Sequence, residues 1–243
     1  MKIKMIGTGA ISVKERNACY LVDEKILVDC GNGTIKTLLQ YDIDITKIDT
    51  LLITHLHGDH FLDIPFLIIL RNSYNIQNEF KIFCPIGTEE TIGKIIELAF
   101  PDIHDWTELR DKVKVKFIEF QNLNNVEVTP NYFINSYNVV HGDFKSAFGY
   151  TIKNNDKVIG ISGDSSYCNS IDNIVEESDM VILDTSLKTG NNKHMGINDI
   201  ELISKKYNKR IIATHMQQKT KITLKEMKID NLIIPDDGDE FYI

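Results

Sequence analysis

The sequence predicts an α/β protein, an αββα sandwich of two mixed β-sheets with helices on the outside. Two observations carry this expectation. Strands come in two batches, and each batch finishes with helices, as when two sheets pack face to face under helical layers. No internal repeat, low-complexity tract or Ser/Gly-rich linker divides the 243 residues, so 1–243 reads as a single domain.

The elements follow in order. Lys2–Ile6, Ala18–Val22 and Lys25–Asp29 read as short strands, the last two joined by the acidic turn Asp23-Glu24. The Gly-rich break Cys30-Gly31-Asn32-Gly33 leads into a helix from Thr34 to about Tyr41. Asp49–Thr54 is a short apolar run typical of a buried strand, followed by a helix from about His60 to Asn72 and a strand at Phe80–Cys84. Thr88–Phe100 places Ile92, Ile95, Ile96 and Ala99 at helical spacing, with Thr88 as its cap and Glu89 and Glu90 in the first turn. In the second half, Lys112–Phe120, Val126–Val140 and Phe148–Ile152 read as mostly antiparallel strands. Lys157–Ser162 and Met180–Asp184 are buried-strand candidates with a helix near Ile171–Glu177 between them. Gly196–Tyr207 then reads as a helix and Arg210–Thr214 as a strand.

Composition excludes several classes. A hydrophobic content of 42% with 26% charged residues is ordinary for a soluble globular chain. The longest apolar stretch, Phe61–Leu70, is interrupted by Asp63 and Pro65, too short for a membrane span of about 20 residues. The opening MKIKMIGTGA has no apolar core before a small-residue cleavage site, so no export signal is expected. Cys19, Cys30, Cys84 and Cys168 stand far apart and read as reduced, buried thiols of a cytoplasmic protein; His104 reads as a surface histidine. A net charge of −8 argues against a dedicated nucleic-acid binder. The segment Lys188–Lys228 nevertheless carries a local balance of +7. Such a run reads first as solvated helix faces, and as an anion-attracting rim if a site falls within it.

The histidines carry the functional argument. Three of seven fall within Thr54-His55-Leu56-His57-Gly58-Asp59-His60, directly after an apolar strand. A lone histidine is usually a surface or satisfied core residue; three beside an aspartate are hard to explain as packing. Imidazole nitrogens and carboxylate oxygens are the ligands of hydrolytic zinc, bound at about 2.0–2.2 Å. In an extended exit from a strand, His55 and His57 point the same way and can share one metal, while the turn into a helix displaces Asp59 and His60 toward a second position. Two cations about 3.5–4 Å apart can clamp one oxygen and hold a hydroxide between them.

THLHGDH resembles the His-x-His-x-Asp-His motif of the metallo-β-lactamase-fold hydrolase superfamily, and the chain is similar to that family in order up to about residue 215. Gly7-Thr8-Gly9 with Asn17–Val22 is similar to its opening hairpin, and Asp29-Cys30-Gly31 to its Asp-Cys-Gly turn. The resemblance implies the metallo-β-lactamase fold, with His55, His57 and His141 holding one metal, Asp59, His60 and His215 the other, and Asp164 bridging. The implied cofactors are two divalent ions, zinc first, with manganese or iron as substitutes. Asp59 is in addition the expected orienter of the attacking hydroxide.

Branch-specific features narrow the expectation. By this resemblance, the antibiotic-hydrolysing branch commonly has cysteine at the bridging position, where Asp164 stands here; Cys168 lies four residues later. The diiron oxygen-reducing branch has glutamate where this chain has His57. His194, in Lys193-His194-Met195-Gly196, resembles the additional histidine of the ribonuclease Z-like phosphodiesterase branch, which is thought to protonate the leaving oxygen. Asp184 stands where that branch tends to carry a glutamate partner. The implied function is a metal-dependent hydrolase of phosphodiesters, small or cyclic ones or RNA, without a membrane and as a homodimer. The alternatives are a thioester or lactone hydrolase, a transfer-RNA 3′-processing endonuclease, and a non-catalytic metal-dependent sensing protein.

Overall fold

Strand alternation decides the architecture. In the computed structural model, which describes residues 1–243, β2 (Cys19–Val22), β3 (Ile26–Val28) and β4 (Thr50–Leu52) turn successive residues to opposite faces. Leu21, Leu27 and Leu51 face a helical layer, whereas Tyr20, Val22, Ile26, Val28 and Leu52 face the interior. The same division recurs in β11 (Met180–Asp184) and β12 (Arg210–Thr214), where Ile182 and Ile212 point inward and Val181, Leu183 and Ile211 outward. Residues apolar on both faces make strands that must be covered twice, which a sandwich with outer helices supplies. No helix is long and apolar enough to cross a membrane.

The first sheet has seven strands, in the order β14-β1-β2-β3-β4-β5-β6, with β1 at Lys2–Gly7, β5 at Phe80–Pro85, β6 at Val115–Phe120 and β14 at Glu240–Tyr242. From β3 to β6 it is parallel. The crossovers carry α1 (Thr34–Gln40), α2 (Gly58–Phe61), α3 (Ile64–Ser73), α4 (Thr88–Ala99) and α5 (Trp106–Lys112). The second sheet runs β13-β12-β11-β10-β9-β8-β7. Here β7 (Val126–Thr129), β8 (Tyr132–Asn138), β9 (Phe148–Asn154) and β10 (Lys157–Ile161) form an antiparallel meander. From β10 to β13 (Leu232–Ile233) the pairing is parallel, through α6 (Asn169–Glu177), α7 (Ile197–Lys206) and α8 (Gln218–Glu226). Phe148 N–H donates to Thr54 O at 2.9 Å, tying the start of β9 in the second sheet to the segment that follows β4.

Several expectations need correction. Lys112–Phe120 is not an antiparallel strand of the second half: its first residue closes α5, and β6 pairs in parallel with β5. Val126–Val140 is two strands, because Asn131 adopts a left-handed φ of 71° and turns the chain into a hairpin. The helix expected from His60 is two helices, α2 and α3, the second opened by Pro65. Gly87 rather than Thr88 caps α4, and Thr88 Oγ1 donates instead to Pro85 O at 2.5 Å. Cys19, Cys30 and Cys84 are buried free thiols, but Cys168 is partly exposed. His104 is exposed, as expected. The carboxy-terminal residues return to the first strand: β14 pairs with β1, and Asp237 accepts Thr8 N–H at 2.9 Å and Arg16 N–H at 2.9 Å.

Candidate metal centre

Loops following the ends of β4, β10, β11 and β12 meet at one rim of the sandwich, the edge where parallel strands commonly offer a ligand site. The chain leaves β4 extended, and His57 precedes α2 with φ −80° and ψ 145°. That conformation brings His55 Nε2 to 2.9 Å from His57 Nδ1, with His141 Nε2 3.1 Å from the same atom. A tetrahedral ion bound at about 2.0–2.1 Å separates its ligand nitrogens by about 3.3 Å, so the three rings need only small adjustment to receive one. Asp59 and His60, carried by α2, meet His215: Asp59 Oδ2 lies 3.4 Å from His215 Nε2 and 3.6 Å from His60 Nε2. Asp164 Oδ2 stands between the sets, 3.4 Å from His60 Nε2, 3.4 Å from His215 Nε2 and 3.9 Å from His55 Nε2.

The hydrogen bonds behind these rings fix which nitrogen faces the cluster. His141 Nδ1 meets Lys193 O at 2.8 Å. A carbonyl only accepts, so Nδ1 carries the proton and Nε2 presents its lone pair. His60 Nδ1 is 2.7 Å from Asp29 Oδ2, and His215 Nδ1 is 2.8 Å from Ser186 Oγ. His55 Nδ1 is 3.0 Å from Thr54 Oγ1, which donates to Asp29 at 2.8 Å. Such outer partners are what metal-ligating histidines ordinarily have. His60 Nε2 is buried without a hydrogen-bond partner. An orphaned ring nitrogen between two carboxylates is costly unless a further group satisfies it, and a divalent cation fits.

Charge follows the same division. Burial, helped by the neighbouring His60, holds His55 well below the usual histidine range, and burial with His141 lowers His57. Both are thereby neutral near pH 7, the form a metal accepts. Burial alone would push Asp164 up, but His215 and His60 beside it hold it well below the usual carboxylate range.

Asp184 and His194 form a different kind of pair. His194 Nδ1 lies 2.8 Å from Asp184 Oδ2, so the aspartate is long enough to hold the ring. Burial lowers the His194 pKa, but the Asp184 hydrogen bond and charge outweigh it and raise it overall. Asp164, Asp184, His194 and His215 also lie close enough to surround an ion. However, Asp184 already accepts from Ser165 N–H at 3.1 Å, Ser186 N–H at 3.0 Å, Ser186 Oγ at 2.6 Å and the His194 ring. Four donors on one carboxylate leave no lone pair free for a cation.

All seven expected ligand residues, and the Asp184–His194 pair, therefore converge at one rim. The supporting residues Thr54, Ser186 and the Lys193 carbonyl escaped sequence reasoning, and Asp29 was noticed only as part of a turn. Asp29 is buried with φ 60°, and the glycine two residues on has a readable reason: a Cβ on Gly31 would lie 1.7 Å from Asp59 O. The basic segment Lys188–Lys228 only partly rims the site. Lys206 pairs with Asp172 at 3.0 Å, buried Lys221 pairs with Glu15 and Asp236 at 3.0 and 2.8 Å, and Arg210 donates to Tyr242 O at 2.9 Å. Lys193 is tied to the cluster through its backbone carbonyl, which holds His141, rather than through its charge.

Comparison with known proteins gives relatives by sequence and by fold. Ribonuclease Z of Enterococcus faecalis is 32% identical over 162 residues, 63% of this chain and 49% of that protein. Ribonuclease Z of Methanocaldococcus jannaschii is 38% identical over 104 residues, 41% of this chain and 33% of that protein. The matches thus span about half or less of these relatives' length. Among solved structures, the short form of human tRNase Z superposes with a TM-score of 0.77 at 20% identity, covering 100% of this chain and 99% of that one. The metallo-β-lactamase-fold protein YhfI from Bacillus subtilis gives 0.75 at 20% identity over 99% and 98% of the two chains. Residues 1–233 match the family model described as Anti-Pycsar protein Apyc1. With its two-sheet sandwich of the metallo-β-lactamase fold and its sequence similarity to ribonucleases Z, the chain belongs to the Anti-Pycsar protein Apyc1 family.

Proposed function

We propose that the chain is a dinuclear metal-dependent phosphodiesterase, acting on small or cyclic phosphodiesters. The observation that carries this reading is the position of Asp164 Oδ2, one carboxylate oxygen within 3.4 Å of His60 and His215 and 3.9 Å of His55. His55, His57 and His141 would hold one ion, Asp59, His60 and His215 the second, and Asp164 would serve both. Zinc suits these donors best, and manganese or iron can replace it. When bound, two divalent ions supply positive charge for the phosphoryl oxygens and make a nucleophile available from water near neutral pH.

The chain's own residues do the rest. Asp59, whose carboxylate meets His60 and His215, would orient the attacking water. His194 is held at Nδ1 by Asp184, which leaves Nε2 to deliver a proton to the leaving oxygen. Its side chain is 21% exposed, open enough for a leaving group to reach. An alkoxide departs poorly without that proton. The ribonuclease Z name carried by the relatives brings RNA in as the second substrate class.

A hydrolysis screen over phosphodiesters, thioesters and lactones, with zinc, manganese and iron, tests the reaction class. Phosphodiester cleavage is expected; brisk thioester or lactone cleavage without it would move the protein to another class. In the same screen His194→Ala should retain its metals and most activity on bis(nitrophenyl) phosphate, whose aryl leaving group needs little help. On an alkyl or nucleoside phosphodiester its rate should fall about 10²–10⁴-fold, roughly 3–5 kcal/mol of barrier. Asp184→Asn should show the same selectivity more mildly. Equal losses on both substrates would assign His194 to shaping the site.

A further inference from the structure

The hydroxyl of Ser186 sits where the two halves of the site meet. Its Oγ lies 2.6 Å from Asp184 Oδ1, 2.8 Å from His215 Nδ1, 2.8 Å from His215 O and 3.4 Å from His194 Nδ1. Ser186 is 2% exposed, so solvent does not compete for these partners. A hydroxyl has one proton and two lone pairs. Two of its neighbours, the Asp184 carboxylate and the His215 carbonyl, can only accept. Whichever takes the proton, none remains for His215 Nδ1, so that nitrogen must donate to Ser186 Oγ. His215 therefore carries a proton at Nδ1, which leaves Nε2, facing Asp59 and Asp164, as the nitrogen that could meet a cation. The carboxylate is the shorter and charged acceptor, so the serine proton goes chiefly there. Asp184 Oδ2 then holds His194 Nδ1.

We infer that Ser186 is a positioning residue that acts in both directions: it sets the tautomer with which His215 would meet the second ion, and it braces Asp184 against His194. This rests on the proposed dinuclear phosphodiesterase reading. His215 has a further reason to need such a brace. It adopts a left-handed φ of 52°, off the extended line of β12, and its Nδ1 rests on Ser186 Oγ at 2.8 Å.

Removing the hydroxyl leaves the main chain intact. Ser186 O still accepts Thr220 Oγ1 at 2.8 Å, and Ser186 N–H still reaches Asp184 at 3.0 Å. Ser186→Ala is accordingly expected to fold, and Ser186→Gly supplies a second hydroxyl-free variant. The measurement is zinc affinity by chelator competition, with nitrogen NMR of the histidine rings and rates on two leaving groups. In Ser186→Ala one zinc should be retained, while the zinc of the Asp59–His60–His215 position binds about 10–100-fold more weakly. His215 should lose its fixed Nδ1–H signature. At saturating zinc, cleavage of an alkyl phosphodiester should fall at least about tenfold more than cleavage of bis(nitrophenyl) phosphate, because His194 is less firmly aimed. Ser186→Thr, which keeps a hydroxyl, should recover zinc affinity and the leaving-group selectivity. Unchanged zinc affinity and tautomer, or equal loss on both substrates, would overturn the assignment. Failure of the underlying reading would look different, since the unsubstituted protein would then fail to bind two zinc ions or to cleave phosphodiesters at all.

Discussion

Asp164→Asn is expected to lower phosphodiesterase turnover by at least about a thousandfold, roughly 4 kcal/mol of barrier, and to reduce the bound metal. The substitution preserves shape and removes a charge. Asp164 is held ionised by His215 and His60 despite its burial, and its Oδ2 faces both ligand sets. An amide offers one neutral oxygen, and its NH₂ group would point a donor at ring nitrogens or at a cation. Neither carboxylate behind the rings substitutes: Asp184 is occupied by four donors, and Asp29 by His60 and Thr54. Elemental analysis and steady-state rates on the same preparation check both effects. Full activity of the variant would remove the bridging role.

Asp59→Ala should lose turnover by at least about a hundredfold while its thermal unfolding changes little. Asp59 is mostly buried, but its carboxylate contacts are to His60 and His215 rather than to the hydrophobic core. Its pKa is set by competing effects: burial raises it, and the His215 hydrogen bond and nearby His60 bring it below the usual range. An anion held in that place can both face a cation and orient water, and alanine can do neither. Rates measured with saturating metal separate the two losses, because weak binding is recovered by excess metal and poor orientation is not. Wild-type turnover would contradict the role given to Asp59.

How much was legible depended on whether the signal was local. Met180–Asp184 and Arg210–Thr214 have the bounds read from the sequence, because short apolar runs covered on both faces announce themselves. His55, His57, Asp59 and His60, which meet at the rim, were legible because histidine and aspartate in that spacing have few other uses, whereas His141, Asp164 and His215 were placed by resemblance. Two of the missed elements, α8 and β14, lack such a signature. In α8 only Thr220, Lys221 and Leu224 are buried, so no apolar stripe marks the helix. β14 becomes a strand because β1 offers it an edge. For α5 a signal was present: Asp105 accepts Thr107 N–H at 2.9 Å and Glu108 N–H at 3.2 Å as an N-cap, ahead of Trp106 and Leu109 on the buried face. Ser186 could not be assigned from spacing, since its part depends on Asp184, His194 and His215 meeting around one oxygen.

The central claim is that one rim of this sandwich holds two metal ions through His55, His57, Asp59, His60, His141, Asp164 and His215. Metal stoichiometry of the purified protein, by elemental analysis after dialysis against metal-free buffer and again after reloading with zinc, tests it most directly. The account predicts close to two ions per chain, with phosphodiesterase activity lost on chelation and restored on reloading. A reloaded protein that holds no metal, or a single ion with full activity, would contradict it.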